Sequence, residues 1–349
     1  MDGDAPGNVD ADSASAADPR QPIGQCVADK YALTRIIGTG SMGSVYEGVH
    51  VDLGKRLAIK LIRPEFCDSA EIVGRFRREA RAASAASSEH IVQIFDFGRD
   101  EALGFYMVSE YLIGEDLEKR LEREPGVPVP VAADIAWQVA RGLARAHAVG
   151  VVHRDLKPAN IFLTHRDDGS LLAKILDFGI SKIDERRSER DGDARPEPTL
   201  TKRGTTLGTP QYMSPEQCTG KARLDARTDV WSLCAVLYEM LAGQPAVSDA
   251  GGFIAAMQRI VSGDVVQLVK RAPWVSKELA AVVDRGLVRD RDRRTRDAET
   301  LAAELLAAAQ APAPRTQVPS EPPPSSAEDA MEVFVRSGEV PVPLGRRRA

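Results

Sequence analysis

A change of hydrophobic period near Gly114 divides the sequence. Upstream of it, β-branched and aromatic residues fall in short runs at 33–37, 44–50, 56–62, 91–97 and 105–110, separated by Gly and charged turns. Runs of this length read as five strands of an antiparallel sheet. One stretch rich in Ala, Arg and Glu, at 70–86, interrupts them and reads as a helix. Downstream the period lengthens: Ile135, Val139, Leu143 and Ala146 share one helical face, and Gly150 suits a C-terminal stop. Segments at 230–242, 253–261, 277–288 and 298–309 read as further helices. The pattern predicts an α+β, bilobal fold, with a small antiparallel sheet lobe carrying one helix and a larger helical lobe.

The flanks belong to neither lobe. Residues 1–28 are mostly Ala, Asp, Ser, Gly and Pro, too poor in large apolar side chains to offset the entropy of ordering, and are expected to be disordered. From 311 to 349 the period is lost and proline becomes dense, with Pro312, Pro314, Pro319, Pro322, Pro323 and Pro324, which predicts a flexible tail and a candidate docking segment. That leaves 29–310 as the folded unit, with its lobes at about 29–112 and 113–310. The net charge of −5 argues against a nucleic-acid partner. The four cysteines, Cys26, Cys67, Cys218 and Cys234, form no C-x-x-C pair and suggest neither zinc nor a disulfide framework. No apolar run reaches the ~18 residues of a membrane span. Asp2, Asp4, Asp10 and Asp12 stand where a signal peptide would carry positive charge, so a cytoplasmic location is expected.

The chemistry concentrates in His153-Arg154-Asp155-Leu156-Lys157-Pro158-Ala159-Asn160 and Asp177-Phe178-Gly179. Two acids and an amide at these spacings suit phosphoryl transfer from Mg-ATP: one carboxylate beside the attacking hydroxyl, and a carboxylate with a carboxamide oxygen on the metal. Upstream, Gly38-Thr39-Gly40-Ser41-Met42-Gly43-Ser44-Val45 has G-x-G-x-x-G spacing but leads into a strand-like run rather than a helix, which separates it from a dinucleotide-binding turn. Lys60 lies among apolar neighbours in Ala58-Ile59-Lys60, where an ammonium needs partners. Glu79 on the single helix supplies one; Glu71 is the competing acid, about two turns nearer the helix start.

Over roughly 31–309 these motifs resemble the bacterial branch of the eukaryotic-type serine/threonine protein kinases. The resemblance implies a protein-kinase-like fold and a non-specific serine/threonine protein kinase, a member without a membrane-spanning segment, using ATP and Mg²⁺ with Mn²⁺ as a substitute. It implies catalytic roles for Asp155, Lys157, Lys60 and Glu79, and metal binding by Asn160 and Asp177. ATP would contact Ile37, Gly38, Thr39, Gly40, Ser41, Gly43, Val45, Ala58, Lys60, Ser109, Glu110, Leu112, Asp116, Asn160, Phe162 and Asp177. Lys157 before Pro158, with Gly208-Thr209 upstream of Tyr212, implies Ser/Thr acceptors on proteins. Scaffold roles fall to Arg154, Thr209, Asp229 and Glu216, the last paired with an arginine late in the helical lobe, where the spacing points to Arg294 with Arg293 as the alternative. Two departures stand out: extra polar residues at 165–170, read as a longer hairpin, and a charged stretch at 184–198.

Arg154 beside the catalytic Asp implies switching by phosphate on Thr199, Thr201, Thr205 or Thr206, with Thr201 favoured, through autophosphorylation in a transient homodimer. Ser109 aligns with the position that closes the back of the adenine pocket. Two rivals differ in class: a catalytically silent kinase-fold scaffold, which typically lacks one of Lys60, Asp155, Asn160 or Asp177, and a small-molecule phosphotransferase, which typically lacks a segment like Ser214-Pro215-Glu216.

Overall fold

The computed structural model describes residues 22–40, 43–177, 210–220 and 224–310. Its first element, β1 (Cys26–Val27), pairs with β2 (Tyr31–Thr39), so ordered chain begins before the boundary expected near 28. The physical reason is local. Val27 is fully buried with Tyr31 and Leu33, while Gly24 donates to Leu33 O and Leu33 donates to Gln25 O, each at 2.9 Å. One apolar anchor and a few backbone bonds order a stretch whose average composition suggests disorder.

β3 (Gly43–His50), β4 (Arg56–Ile62), β5 (Ile94–Asp100) and β6 (Gly104–Glu110) complete a six-stranded antiparallel sheet in the order β1-β2-β3-β4-β6-β5. The strand expected at 91–97 is displaced toward the C-terminus. Val92 donates to Ile175 O at 3.0 Å and Ile175 donates to His90 O at 2.8 Å, so this backbone is satisfied by the second lobe before β5 begins. Helix α1 (Ala70–Ala85) starts at Ser69, whose side chain accepts from Ile72 N–H, and packs Phe76 and Ala80 against Ile62 and Met107 of the sheet.

Gly114 turns the chain out of the first lobe. Its φ is +151°, and a Cβ there would overlap the Leu163 carbonyl, so only glycine permits the approach. Beyond it lies a small sheet, β7 (Glu115–Asp116), β8 (Ile161–His165) and β9 (Leu171–Ile175) in that order, in which β8 and β9 form the hairpin expected around 165–170 and β7 adds a strand the sequence expectation did not include. In the helical lobe α2 (Leu117–Arg123) precedes α3 (Val129–Ala148), whose Ile135, Val139, Leu143 and Ala146 are all buried as the spacing predicts. The short α4 (Pro215–Thr219) leads to α5 (Ala226–Ala242), where Trp231 and Tyr238 are among the largest fully buried side chains. α6 (Gly252–Ser262), α7 (Leu268–Arg271), α8 (Lys277–Gly286) and α9 (Ala298–Gln310) complete the lobe, and one apolar cluster joins it to Ile91 and Ile175. Sequence period misses α2, α4 and α7 because each is too short to repeat a face. Among the described residues no helix is long and apolar enough to cross a membrane.

Candidate active site

The loop carrying Asp155 has no regular structure of its own and is held by a buried acid on α5. Asp229 Oδ2 accepts from His153 N–H and Oδ1 from Arg154 N–H, both at 2.8 Å. His147 Nε2 lies 2.7 Å from Oδ2, and because a carboxylate only accepts, that nitrogen carries the proton. Burial pushes Asp229 up, but the bonds from His147 and the Arg154 amide pull harder and hold it below the usual carboxylate range. The anchorage offsets strain: Arg154 has φ +68°, a left-handed conformation costing an L-residue about 1–2 kcal/mol.

His153 then links the two motifs. Its Nδ1 accepts from Asp155 N–H at 3.2 Å and its Nε2–H donates to Leu176 O at 3.0 Å, one residue before Asp177. Asn160 Nδ2 donates to Asp155 O at 2.7 Å, which leaves the amide oxygen as the candidate metal ligand. Lys157 opens the 3-10 turn Pro158–Asn160 that sets this geometry.

Lys60, on β4 opposite Val45 and Met107, places Nζ 3.0 Å from Glu79 Oε1 and 3.0 Å from Asp177 Oδ1. Burial disfavours the ammonium, yet the two carboxylates outweigh it and raise Lys60 above its ordinary value. One ammonium cannot balance two acids, and their affinities for protons separate. Burial pushes Glu79 up to about 8 with Asp177 adding to the shift, against the pull of Lys60. Asp177, also opposed by burial, is held below the carboxylate range chiefly by Lys60 and stays ionised.

Several of the residues expected at the nucleotide lie on β2, β3, β4 and β6. Gly38 lies opposite Val45 in the β2–β3 register, Gly40 N–H donates to Gly43 O at 2.8 Å, and a Cβ at Gly43 would overlap the Leu61 carbonyl. Ile37 and Thr39 are exposed; Ser41 lies outside the described residues. Ala58 sits opposite Ser109, whose Oγ donates to Ala58 O at 3.5 Å. Leu112 and Phe162 are half-buried, Phe162 opposite Asp116 and Lys174. The Asp116 carboxylate caps α2, accepting from Lys119 N–H at 2.9 Å and pairing with Lys119 Nζ at 2.8 Å, an engagement the sequence expectation did not include. Glu110 donates its N–H to Gln93 O at 3.0 Å, and its side chain takes Gln93 N–H at 2.8 Å and Lys174 Nζ at 2.7 Å. Sequence reasoning missed Lys174, only 8 % exposed; a lone Lys in an apolar strand was the signal.

In the helical lobe Arg294 meets Glu216 with two bonds of 2.9 and 3.2 Å, and Thr228 Oγ1 donates to the same carboxylate at 3.1 Å. Of the two arginines considered, Arg294 is the partner. Gln217, beside it, bonds Arg154 O in the loop carrying Asp155, a contact the sequence expectation did not include. Phe178, Gly179, Thr199, Thr201, Thr205, Thr206, Thr209 and the stretch 184–198 lie outside the described residues.

The sequence matches the protein kinase domain over residues 31–306. The chain belongs to that family. It is 38 % identical over 226 residues to serine/threonine-protein kinase pkn3 of Myxococcus xanthus, an alignment spanning 65 % of this chain and 40 % of pkn3. It is 37 % identical over 242 residues to serine/threonine-protein kinase PknA of Mycobacterium tuberculosis, spanning 68 % of this chain and 52 % of PknA. The chain thus spans about half the length of these relatives. The crystal structure of the Mycobacterium tuberculosis PknI kinase domain superposes with a TM-score of 0.59 and 25 % identity, covering 82 % of this chain and 98 % of that kinase-domain chain. Among the described residues of this kinase-family chain, no three His, Cys, Asp or Glu side chains cluster to hold a metal.

Proposed function

We propose that this chain is a serine/threonine protein kinase, transferring the γ-phosphoryl group of Mg-ATP to Ser or Thr hydroxyls of proteins. The observation that carries the proposal is Lys60 held between Glu79 and Asp177, beside a catalytic loop pinned by Asp229. Asp155 orients the attacking hydroxyl and accepts its proton, while Lys157 offsets charge on the transferred group. Lys60 holds the α- and β-phosphates and Glu79 fixes its rotamer. Asp177, kept ionised, and the Asn160 oxygen form an all-oxygen pair that suits Mg²⁺ or Mn²⁺, cations usually held by one or two protein ligands with phosphates and water completing the shell. When bound, the cation supplies neutralisation of phosphate charge.

ATP as donor also supports a cytoplasmic setting. The activation-segment threonines and a transient homodimer for autophosphorylation belong to the same proposal, as does a docking role for 311–349. The test is ATP consumption by purified full chain with and without a Ser/Thr-rich protein acceptor, followed by phosphoamino-acid analysis. Phosphate on Ser or Thr of the acceptor is the expected result. ATP turnover only with small-molecule acceptors would instead mark a small-molecule phosphotransferase, and no turnover a silent scaffold.

A further inference from the structure

We propose that Gln217 is a positioning residue for the catalytic loop, a role that rests on the phosphoryl-transfer reading above. The Gln217 amide is used at both ends. Its Oε1 accepts from Ser214 N–H at 2.9 Å, closing a capping box in which Gln217 N–H reaches Ser214 Oγ at 3.4 Å. Its Nε2 donates to Arg154 O at 2.6 Å. The orientation of the amide follows from its partners, since one end faces a donor and the other an acceptor.

Arg154 O belongs to the peptide group whose nitrogen is Asp155 N, and that N–H bonds His153 Nδ1 at 3.2 Å. The plane leading into Asp155 is therefore fixed at its carbonyl by Gln217 and at its N–H by His153. The preceding N–H, on Arg154, is held by Asp229 in the left-handed conformation. Gln217 can bear this load because its neighbour Glu216 is clamped by Arg294 in the core. A cap alone needs only the acceptor oxygen of residue 217, so glutamate would serve as well. The donor is needed for Arg154 alone, and the choice of amide over carboxylate is what this role explains.

The experiment compares full-length wild type, Gln217→Glu, Gln217→Met and Ser214→Ala under single-turnover conditions, with saturating Mg-ATP and a Ser/Thr-containing protein acceptor. Binding of a fluorescent ATP analogue and thermal unfolding are followed in parallel. Gln217→Glu keeps the cap but sets a carboxylate against a carbonyl; Gln217→Met keeps length but loses both the donor to Arg154 and the acceptor of the cap. Both should slow transfer about tenfold, between the ~fivefold of one lost hydrogen bond and the ~hundredfold of an ångström of misplacement, with nucleotide affinity unchanged in both and the unfolding temperature unchanged in Gln217→Glu, which keeps the cap. Ser214→Ala, which removes only the Oγ cap, should transfer near the wild-type rate. Wild-type transfer by Gln217→Glu, or a loss that merely follows nucleotide affinity or stability, overturns the role. A wild-type chain that transfers nothing overturns the reading beneath it, and the two failures are distinct.

Discussion

Truncating Glu216 to Ala should destabilise the helical lobe by about 3–5 kcal/mol, the usual cost of leaving a buried charge without its partner. The Arg294 side chain is 0 % exposed and that of Glu216 6 %, so water cannot replace the lost carboxylate. Arg294 would keep the carbonyls of Arg227 at 2.7 Å, Val288 at 3.2 Å and Arg289 at 3.4 Å, and its stacking on Trp231 at 5.1 Å. It would lose the anion, and a guanidinium cannot shed its proton to escape. Arg294→Met should cost less than Glu216→Ala at mildly acidic pH, since a stranded Glu216 can protonate. Replacing both, as Glu216→Leu with Arg294→Met, should recover much of the sum of the two single losses. At about 2–4 °C per kcal/mol for a unit of this size, Glu216→Ala should lower the unfolding temperature by about 6–20 °C, measured by circular dichroism. The pH dependence has a definite sign. Burial pushes Glu216 up, but the Arg294 bonds outweigh it and hold the folded-state pKa below its ordinary 4.5. The pair's stabilisation is therefore complete above that ordinary value and lost as pH falls through the depressed folded value, a slope the double variant should lack. A Glu216→Ala loss below about 1 kcal/mol, or a double variant as unstable as the summed singles, would refute the account.

Asp155→Asn and Lys60→Met should each cut phosphoryl transfer by about a hundredfold or more with little change in unfolding temperature; a coupled ADP assay showing near wild-type turnover for Asp155→Asn would sink the catalytic assignment. Ser109 presents a small side chain opposite Ala58, and the neighbouring Met107 is packed against Ile62, Phe76 and Ala80. Wild type should accept ATP analogues enlarged at the exocyclic amine, while Ser109→Met rejects them and still uses ATP; equal rejection by both proteins would show the back pocket to be closed. Phosphate on Thr199, Thr201, Thr205 or Thr206, Thr201 first, should accumulate as activity rises during incubation with Mg-ATP, and mass spectra of fully active protein with all four unmodified would count against that switch.

Much of the site was legible because its parts are local or separated by regular elements. Asp155, Lys157 and Asn160 share one loop, and Lys60 finds Glu79 because a strand, a short connection and a helix of set rise bring positions 19 residues apart face to face. Spacing pointed to Arg294 and left Arg293 as the alternative, since which of two adjacent residues around a short 3-10 turn faces Glu216 is selected only by the packed lobe. Asp116 was expected at the nucleotide from its place in the sequence, and only the structure shows that its carboxylate also caps α2.

The sequence by itself determined the alternation of strand and helix, the lobe order and the identity of the charged groups, because period and propensity are properties of a chain's own backbone and side chains. Tertiary structure alone decided that Val27 is an anchor, that Ile91 pairs across the lobes, that Lys174 holds Glu110, and that Gln217 holds Arg154. The last three depend on one or two contacts between residues distant in the chain, Gln217 and Arg154 being 63 apart and Lys174 and Glu110 64 apart, and the first on burial in the sheet's own apolar cluster. Such contacts leave no period to read, and they exist only once the core has brought the two backbones within hydrogen-bond reach.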